Sequence, residues 1–221
     1  MGDRKPGPIC SSQLGSDWID AGTRCRSRSS STGPLGILMS LAMGAIPKES
    51  QTGSQPEQDN ALIGYDIEVI GKSKFGRTGE GQGIVVLLNR LYQNGNIAYG
   101  DTSEDDGRGY WDGNSITVNE DFRGNLCSTS ATLVHEASHA MWRKKHPKPN
   151  GKDKSKLFKD AVEDELYAQE NELVIYTWLK DSKGCPSDLV LETRLQRKKS
   201  GTLKSVIEQS FSAIANSPEK Q

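Results

Sequence analysis

The stretch His135-Glu136-Ala137-Ser138-His139 constrains this chain more than any other feature of its sequence. Two histidines four residues apart lie on one face of an α-helix, one turn above each other. Their imidazoles can hold one Zn²⁺ ion from the same side, at about 2.0–2.1 Å each. Glu136 lies about 100° further round the helix, where it can reach a metal-bound water without binding the metal. The pattern therefore predicts a catalytic zinc site, provided that the stretch is helical.

The residues around the motif favour a helix. Ser128, Thr129 and Ser130 are candidate N-caps, and Pro147 bounds the far end. The alternative is a metal-free helix whose histidines pack against a neighbour and whose glutamate is solvated. The chain has 3 histidines in all and places two of them here, which favours the zinc site.

The composition indicates one modest core and a disordered portion. Only 33% of the 221 residues are hydrophobic, and the mean hydropathy is −0.65. A net charge of −1 gives no general attraction to nucleic acid or to anionic membranes, so we expect no nucleic-acid partner. No apolar run approaches the roughly 20 residues of a transmembrane helix. The sequence leaves the oligomeric state open.

Residues 1–60 have the composition of a largely disordered segment, with a basic, serine-rich tract at 24–31. The apolar stretch from Pro34 to Ile46 resembles a secretory signal, but the leader before it is unusually long. Either the true start lies further in, for example at Met39, or the stretch is a buried or interfacial segment. Secretion and a cytoplasmic location therefore both stay open.

Four cysteines are widely scattered and form no C-x-x-C pair: Cys10, Cys25, Cys127 and Cys185. They match neither a zinc knuckle nor a disulfide-dense scaffold. We expect free thiols, with one or two disulfides as the alternative if the protein is exported.

From Ala61 the pattern predicts a folded domain that extends to about residue 216. Gly76–Gly83 is expected to be a flexible connector, since its glycine spacing does not fit a phosphate-binding loop. An Asp-Gly pair at 112–113 predicts a hairpin. The other expected elements are a strand at Tyr65–Ile70, a strand at 97–99 and helices at Ile84–Tyr92, Lys156–Lys180, 188–198 and 202–215.

A catalytic zinc ion needs a third protein ligand. His146 lies seven residues after His139, about 10.5 Å along a continuous helix, which is too far to share the ion. The metzincin arrangement, with glycine three residues and histidine six residues after the second histidine, also fails. Those positions hold Trp142 and Lys145.

The helix at Lys156–Lys180 offers carboxylates instead. Glu165 and Glu172 share a face with apolar residues, where a carboxylate is costly unless it is paired or binds a metal. Glu163, Asp164 and Glu170 fall on other faces, and we expect them to be solvated. Of the two buried candidates, Glu165 lies nearer the connecting loop and precedes the small residue at 168, which would let the helices approach closely.

This order of motifs resembles zincin peptidases of the H-E-x-x-H plus glutamate type, which often carry the third ligand as Glu-x-x-Ala in a second helix. Glu165-Leu166-Tyr167-Ala168 matches that motif, and Glu172 fits a repeated acidic position. Within the group, the two stretches look like those of bacterial effector- and toxin-type metallopeptidases, over roughly residues 80–180. The Asn-Glu-x-x-Ser-Asp signature of thermolysin-like enzymes is absent.

We therefore expect an α+β, zincin-like domain at residues 61–216, mainly helical, with a small sheet before the motif helix. His135, His139 and Glu165 would bind Zn²⁺, and a protein or peptide would be the substrate. Glu136 would take a proton from zinc-acidified water and pass it to the leaving amine. The resemblance also implies that the strand near Ile116–Val118 is an edge for an extended substrate.

Some assignments stay open at this point. Tyr176, Tyr167 and His146 are all candidates for stabilising the oxyanion, and none stands out. Two other functions also fit the sequence. One is a zinc-binding pseudoenzyme or interaction module, and the other is a metal-free helical interaction domain.

Overall fold

The computed structural model describes residues 54–102, 107–149 and 153–215. Within these residues it is an α+β structure, mostly helical, with one small sheet. The helices and strands follow in this order: α1 (Gln55–Lys72), α2 (Gly79–Gln93), β1 (Ile97–Gly100), β2 (Gly109–Trp111), β3 (Ile116–Asn119), α3 (Leu126–Lys145), α4 (Lys154–Lys183), α5 (Leu189–Lys199) and α6 (Leu203–Ala215).

The sheet has the strand order β1-β3-β2. β2 and β3 are antiparallel and form the predicted hairpin, in which Gly113 takes a positive φ of 103°. β1 pairs with β3 in parallel, with Ile97 opposite Ile116. The expectation that Ile116–Val118 forms an edge strand is therefore wrong, because β3 lies in the centre with both of its sides paired.

The strand predicted at Tyr65–Ile70 is also wrong, since these residues belong to α1. The helix begins at Gln55, so it crosses the boundary predicted between residues 60 and 61. The side chain of Glu57 accepts a hydrogen bond from the backbone N–H of Ser54 at 2.8 Å, which supports the helix start. The remainder of the N-terminal segment, including the signal-like stretch, lies outside the described residues.

The glycine-rich segment at 76–83 is not the flexible connector that its composition suggested. α2 begins at Gly79, where the Thr78 hydroxyl caps the helix by accepting from the N–H of Gly81 at 3.0 Å. A Cβ at Gly81 would lie 1.9 Å from the carbonyl oxygen of Phe75. Glycine at this position therefore allows the two backbones to touch.

Helix α3 is the centre of the fold. It contacts α1, α2, β2, β3 and α4, and every residue from Cys127 to His139 is buried. Its N-cap is Asn125, whose side chain accepts from the N–H of Ser128 at 3.2 Å, rather than one of the predicted hydroxyl residues. The helix therefore carries the H-E-x-x-H motif through the interior.

Helix α4 packs along α3 and separates two hydrophobic clusters. Its residues Ile175 and Leu179 join the main core with α1, α2, α3 and the sheet. Val162 and Leu173 pack with α6 in a second cluster. The helix predicted at Lys156–Lys180 is thus confirmed with slightly wider bounds, and the helices predicted at 188–198 and 202–215 are confirmed as α5 and α6.

Cys127 and Cys185 form a disulfide, which corrects the expectation of free thiols at these two positions. Cys127 lies in the first turn of α3, and Cys185 follows the left-handed Gly184 that ends α4. The bridge therefore joins the two long helices. Cys10 and Cys25 lie outside the described residues.

Among the described helices, none combines the length and apolar character needed to cross a membrane.

Candidate metal centre

Three side chains converge between α3 and α4. The Nε2 atoms of His135 and His139 lie 3.1 Å apart. Glu165 of α4 places Oε1 3.8 Å from Nε2 of His135 and Oε2 3.6 Å from Nε2 of His139. The structure thus brings together the two histidines and the glutamate that the sequence selected, with one potential ligand atom from each residue within 4.8 Å of the others.

The second ring nitrogen of His139 faces a carboxylate. Asp164 Oδ1 lies 2.7 Å from Nδ1 of His139, and Asp164 Oδ2 lies 2.6 Å from Nη2 of Arg143. Arg143 also pairs with Asp160. Asp164 is buried, so the expectation that it is solvated is wrong. It orients the ring of His139, and Arg143 in turn holds Asp164.

His135 has a similar arrangement on its outer side. Glu172 Oε2 lies 3.5 Å from its Nδ1, a charge contact longer than an ordinary hydrogen bond. The same Oε2 atom accepts from Nη1 of Arg194, and Arg108 approaches the other oxygen at 3.9 Å. A carboxylate therefore lies behind each histidine ring, and an arginine contacts that carboxylate on its other side.

The contact with Asp164 places a hydrogen on Nδ1 of His139. Asp164 accepts it at 2.7 Å, so Nε2 of His139 presents a lone pair towards Nε2 of His135. That lone pair can accept a hydrogen bond from a protonated His135 ring or bind a metal ion. With both rings neutral, the two Nε2 atoms and the Glu165 carboxylate form a donor set of two imidazole nitrogens and one carboxylate, which suits Zn²⁺.

The electrostatics of the pocket also favour a cation. Burial alone would lower the pKa of His135, but the negative charges of Glu172 and Glu165 outweigh burial and raise this pKa to about 9. Burial would raise the pKa of Glu172, but Arg194 and His135 hold it at about 2. Glu172 is therefore an ionised carboxylate in the interior, and the pocket stabilises positive charge at His135.

Glu165 is held in place by its neighbour on α4. Gln169 donates a hydrogen bond from Nε2 to Oε1 of Glu165 at 2.7 Å. Burial would raise the pKa of Glu165, but the positive charges of His135 and His139 lower it below its usual value. An ionised and oriented carboxylate is the form that can bind a metal ion.

Glu136 follows His135 on α3 and is only 3% exposed. Burial raises the pKa of its carboxyl, while the neighbouring His135 and His139 act in the opposite direction. A raised pKa makes the carboxylate a stronger base. The role of Glu136 as a general base stays a prediction of the motif.

Comparisons of the chain with protein-family models, with curated proteins and with solved structures found no match. The geometry and chemistry of the side chains therefore carry the functional argument.

The structure places the three oxyanion candidates in other contacts. Tyr176 is fully buried, and its hydroxyl donates to Glu192 at 2.8 Å. The ring of Tyr167 lies against Trp142, with centroids 5.4 Å apart. His146, at the end of α3, stacks on the same Trp142 at 3.9 Å. Tyr176 and His146 therefore contact other groups, whereas the buried hydroxyl of Tyr167 has no hydrogen-bond partner among the described residues.

Sequence reasoning missed Asp164, Arg143 and Arg194. A signal for Asp164 did exist, because a metal-binding histidine almost always donates its second N–H to an acceptor, often a carboxylate. The helical-face argument placed Asp164 among the solvated acids, although it precedes Glu165 directly. The two arginines had no local signal, because their role depends on how α3, α4 and α5 pack.

Proposed function

We propose that this chain is a zinc-dependent metallopeptidase with a zincin-like fold. His135, His139 and Glu165 hold the ion, and Glu136 is the general base. The observation that supports the proposal best is the convergence of two buried, oriented imidazoles and one carboxylate at a single point. The order of the two motifs, H-E-x-x-H and then Glu-x-x-Ala, supports a peptidase within the class of zinc hydrolases.

Zn²⁺ bound here would supply Lewis-acid chemistry, which polarises a carbonyl group and acidifies water. The residues of the chain orient the ligands and transfer the proton. Asp164 orients the His139 imidazole through a hydrogen bond, Glu172 places a negative charge 3.5 Å from Nδ1 of His135, and Gln169 orients Glu165. Glu136 accepts a proton from the attacking water and returns it to the leaving amine nitrogen.

We further propose that the protein is exported and acts as a secreted effector or toxin. The disulfide between Cys127 and Cys185 supports this part of the proposal, because disulfides persist in oxidising compartments and are rare in the cytosol. The resemblance to effector- and toxin-type metallopeptidases points in the same direction. The substrate is then a protein or peptide of another cell.

A second candidate is a zinc-binding module without hydrolytic activity. The burial of the site favours it, since His139 is 2% and Glu136 is 3% exposed. Structural zinc sites are closed, whereas catalytic sites keep a position open to water or substrate. Under this alternative the chain binds zinc and a partner but cleaves nothing.

Metal analysis and a cleavage assay test the proposal. The purified protein should contain about one Zn²⁺ per chain. His135→Ala and His139→Ala should lose the metal, whereas His146→Ala should retain it, because that exposed histidine stacks on Trp142 outside the cluster. Full zinc content in a protein that lacks both His135 and His139 would rule out this site.

The Glu136→Gln variant separates the peptidase from the inactive module. We expect it to fold and to keep its zinc, because Glu136 does not bind the ion, and to lose about 10²–10⁴-fold in peptide cleavage. A protein-library digest read by mass spectrometry supplies the cleavage assay. Zinc binding without any cleavage by the wild type would favour the module instead.

A further inference from the structure

Arg194 lies on α5, a helix outside the motif, yet its guanidinium reaches the metal centre. Its Nη1 atom donates to Oε2 of Glu172, the oxygen that also faces Nδ1 of His135. Arg194 contacts this carboxylate oxygen directly and His135 faces it at 3.5 Å, although the two residues lie 59 positions apart in sequence.

Glu172 depends on a cationic partner to remain where it is. Its side chain is 1% exposed, so water cannot stabilise its charge. Arg108 is the second cation nearby, but its Nε is 3.9 Å from Glu172, while its Nη1 pairs with Asp188 at 2.7 Å. Arg194 makes the close contact and is the principal partner of Glu172.

The position of Arg194 is fixed by the docking of α5. Leu191, one turn before it, is fully buried against Ala131 of α3 and Tyr176 of α4. Tyr176 also accepts from the backbone N–H of Asp188 at 3.0 Å and donates to Glu192. The helix is thus held at its first turns, and Arg194 points from a rigid element.

We propose that Arg194 is a positioning residue of the metal centre. It holds the Glu172 carboxylate against Nδ1 of His135 and thereby aims Nε2 of His135 at the metal. This inference rests on the proposed zinc site. Helix α5 thereby contributes to the metal centre although it contains none of the motif residues, because Arg194 supports Glu172 behind His135.

Zinc affinity of the full-length protein tests the proposal. The apo protein is titrated with Zn²⁺ against a competing chelator, and folding is checked by circular dichroism. Arg194→Met should weaken zinc binding by about 10–100-fold, the usual effect of losing support behind a metal ligand. Arg194→Lys keeps the charge but not the planar fork, so its affinity should lie between those of Arg194→Met and the wild type.

Arg197→Met is the matched control. This arginine lies one turn further along α5, and its affinity for zinc should equal that of the wild type. A double variant tests whether Arg194 acts through Glu172. In a Glu172→Gln background, Arg194→Met should cause little further loss of affinity, since its partner is already neutral.

The outcomes separate this inference from the proposed function. A wild type that binds no zinc overturns both. If the wild type binds zinc and Arg194→Met binds it with equal affinity, only the positioning role is overturned. An equally large loss in the Glu172→Gln background also overturns it, because Arg194 would then act by another route. If Arg194→Met fails to fold, the less disruptive Arg194→Gln is judged by the same criteria.

Discussion

Asp164 and Glu165 are adjacent in sequence but contact opposite sides of the same histidine. Glu165 faces Nε2 of His139, and Asp164 faces Nδ1. Residues that follow each other on a helix point about 100° apart, so the face that contains Glu165 does not contain Asp164. The helical face predicted from the sequence contains Glu165 and not Asp164, and the sequence does not show that α3 lies close enough for both residues to contact His139.

The four acids of α4 should therefore differ in their effect on zinc binding. Glu165→Gln should cause the largest loss of affinity, because its carboxylate faces the Nε2 atoms of both histidines. Asp164→Asn and Glu172→Gln should each weaken binding by about 10–100-fold, because they support the histidine rings. Competitive zinc titration of the single variants measures this order.

Glu163→Gln is the control for these variants, because Glu163 is partly exposed and pairs only loosely with Lys159, at 3.9 Å. Its zinc affinity should match that of the wild type. If Glu172→Gln showed a greater loss than Glu165→Gln, then Glu172 would be the third ligand. An Asp164→Asn variant with wild-type affinity would remove Asp164 from the site.

At the scale of helices and strands, sequence patterns were most informative where they were long. The helix formers around the motif and Pro147 predict α3, and a single face that repeats over many turns predicts α4. The sequence wrongly predicts a strand at Tyr65–Ile70, because six residues can fit both the two-residue period of a strand and the 3.6-residue period of a helix. Ile63, Ile67 and Ile70 are all buried on one face, and that helical spacing is visible only in a wider window.

The start of α2 depends on a contact that sequence cannot supply. Three glycines within five residues predict a flexible segment by composition, but Gly81 is needed because the carbonyl of Phe75 lies directly against it. The local sequence contains the glycines, but the approach of the Phe75 backbone to Gly81 depends on the tertiary structure. The same limitation applies to the parallel pairing of β1 with β3, which depends on the path of the intervening chain.

Gly81→Ala should consequently destabilise the protein. The added methyl group would lie 1.9 Å from Phe75 O, a backbone atom that cannot rotate away. We expect the free energy of unfolding to fall by about 1–3 kcal/mol, the usual cost of overpacking. Denaturant unfolding measures it, with Gly79→Ala as the control.

Gly79 is a suitable control because it lies in the same helical turn, and a Cβ there would meet nothing within 4 Å. Alanine favours helix over glycine by about 1 kcal/mol at an interior position, so Gly79→Ala should be neutral or slightly stabilising. Equal stability of the two variants would contradict the close approach at Gly81.

At the scale of the whole molecule, the metal centre depends on how α3 and α4 are held together. All of its proposed ligands and Glu136 lie on these two helices, which are joined by their own connecting segment and by the Cys127–Cys185 disulfide. Scattered cysteines gave no indication of this pairing in the sequence, because cysteines 58 residues apart meet only once the helices have packed. The bridge therefore encloses the entire motif region in one covalent loop.

Removal of this bridge should lower stability substantially. Closing a loop of 58 residues restricts the unfolded chain, and the loop-entropy relation assigns about 4 kcal/mol to that restriction. The Cys127→Ser/Cys185→Ser variant should lose a free energy of unfolding of this order, measured by denaturant titration of protein purified under oxidising conditions. Reduction of the wild type should cause a similar shift, because it opens the same loop.

A Cys10→Ser/Cys25→Ser variant should leave the transition unchanged, since the composition of residues 1–60 predicts no part in the core. A bridge-deficient variant as stable as the wild type would show that packing alone holds α3 against α4.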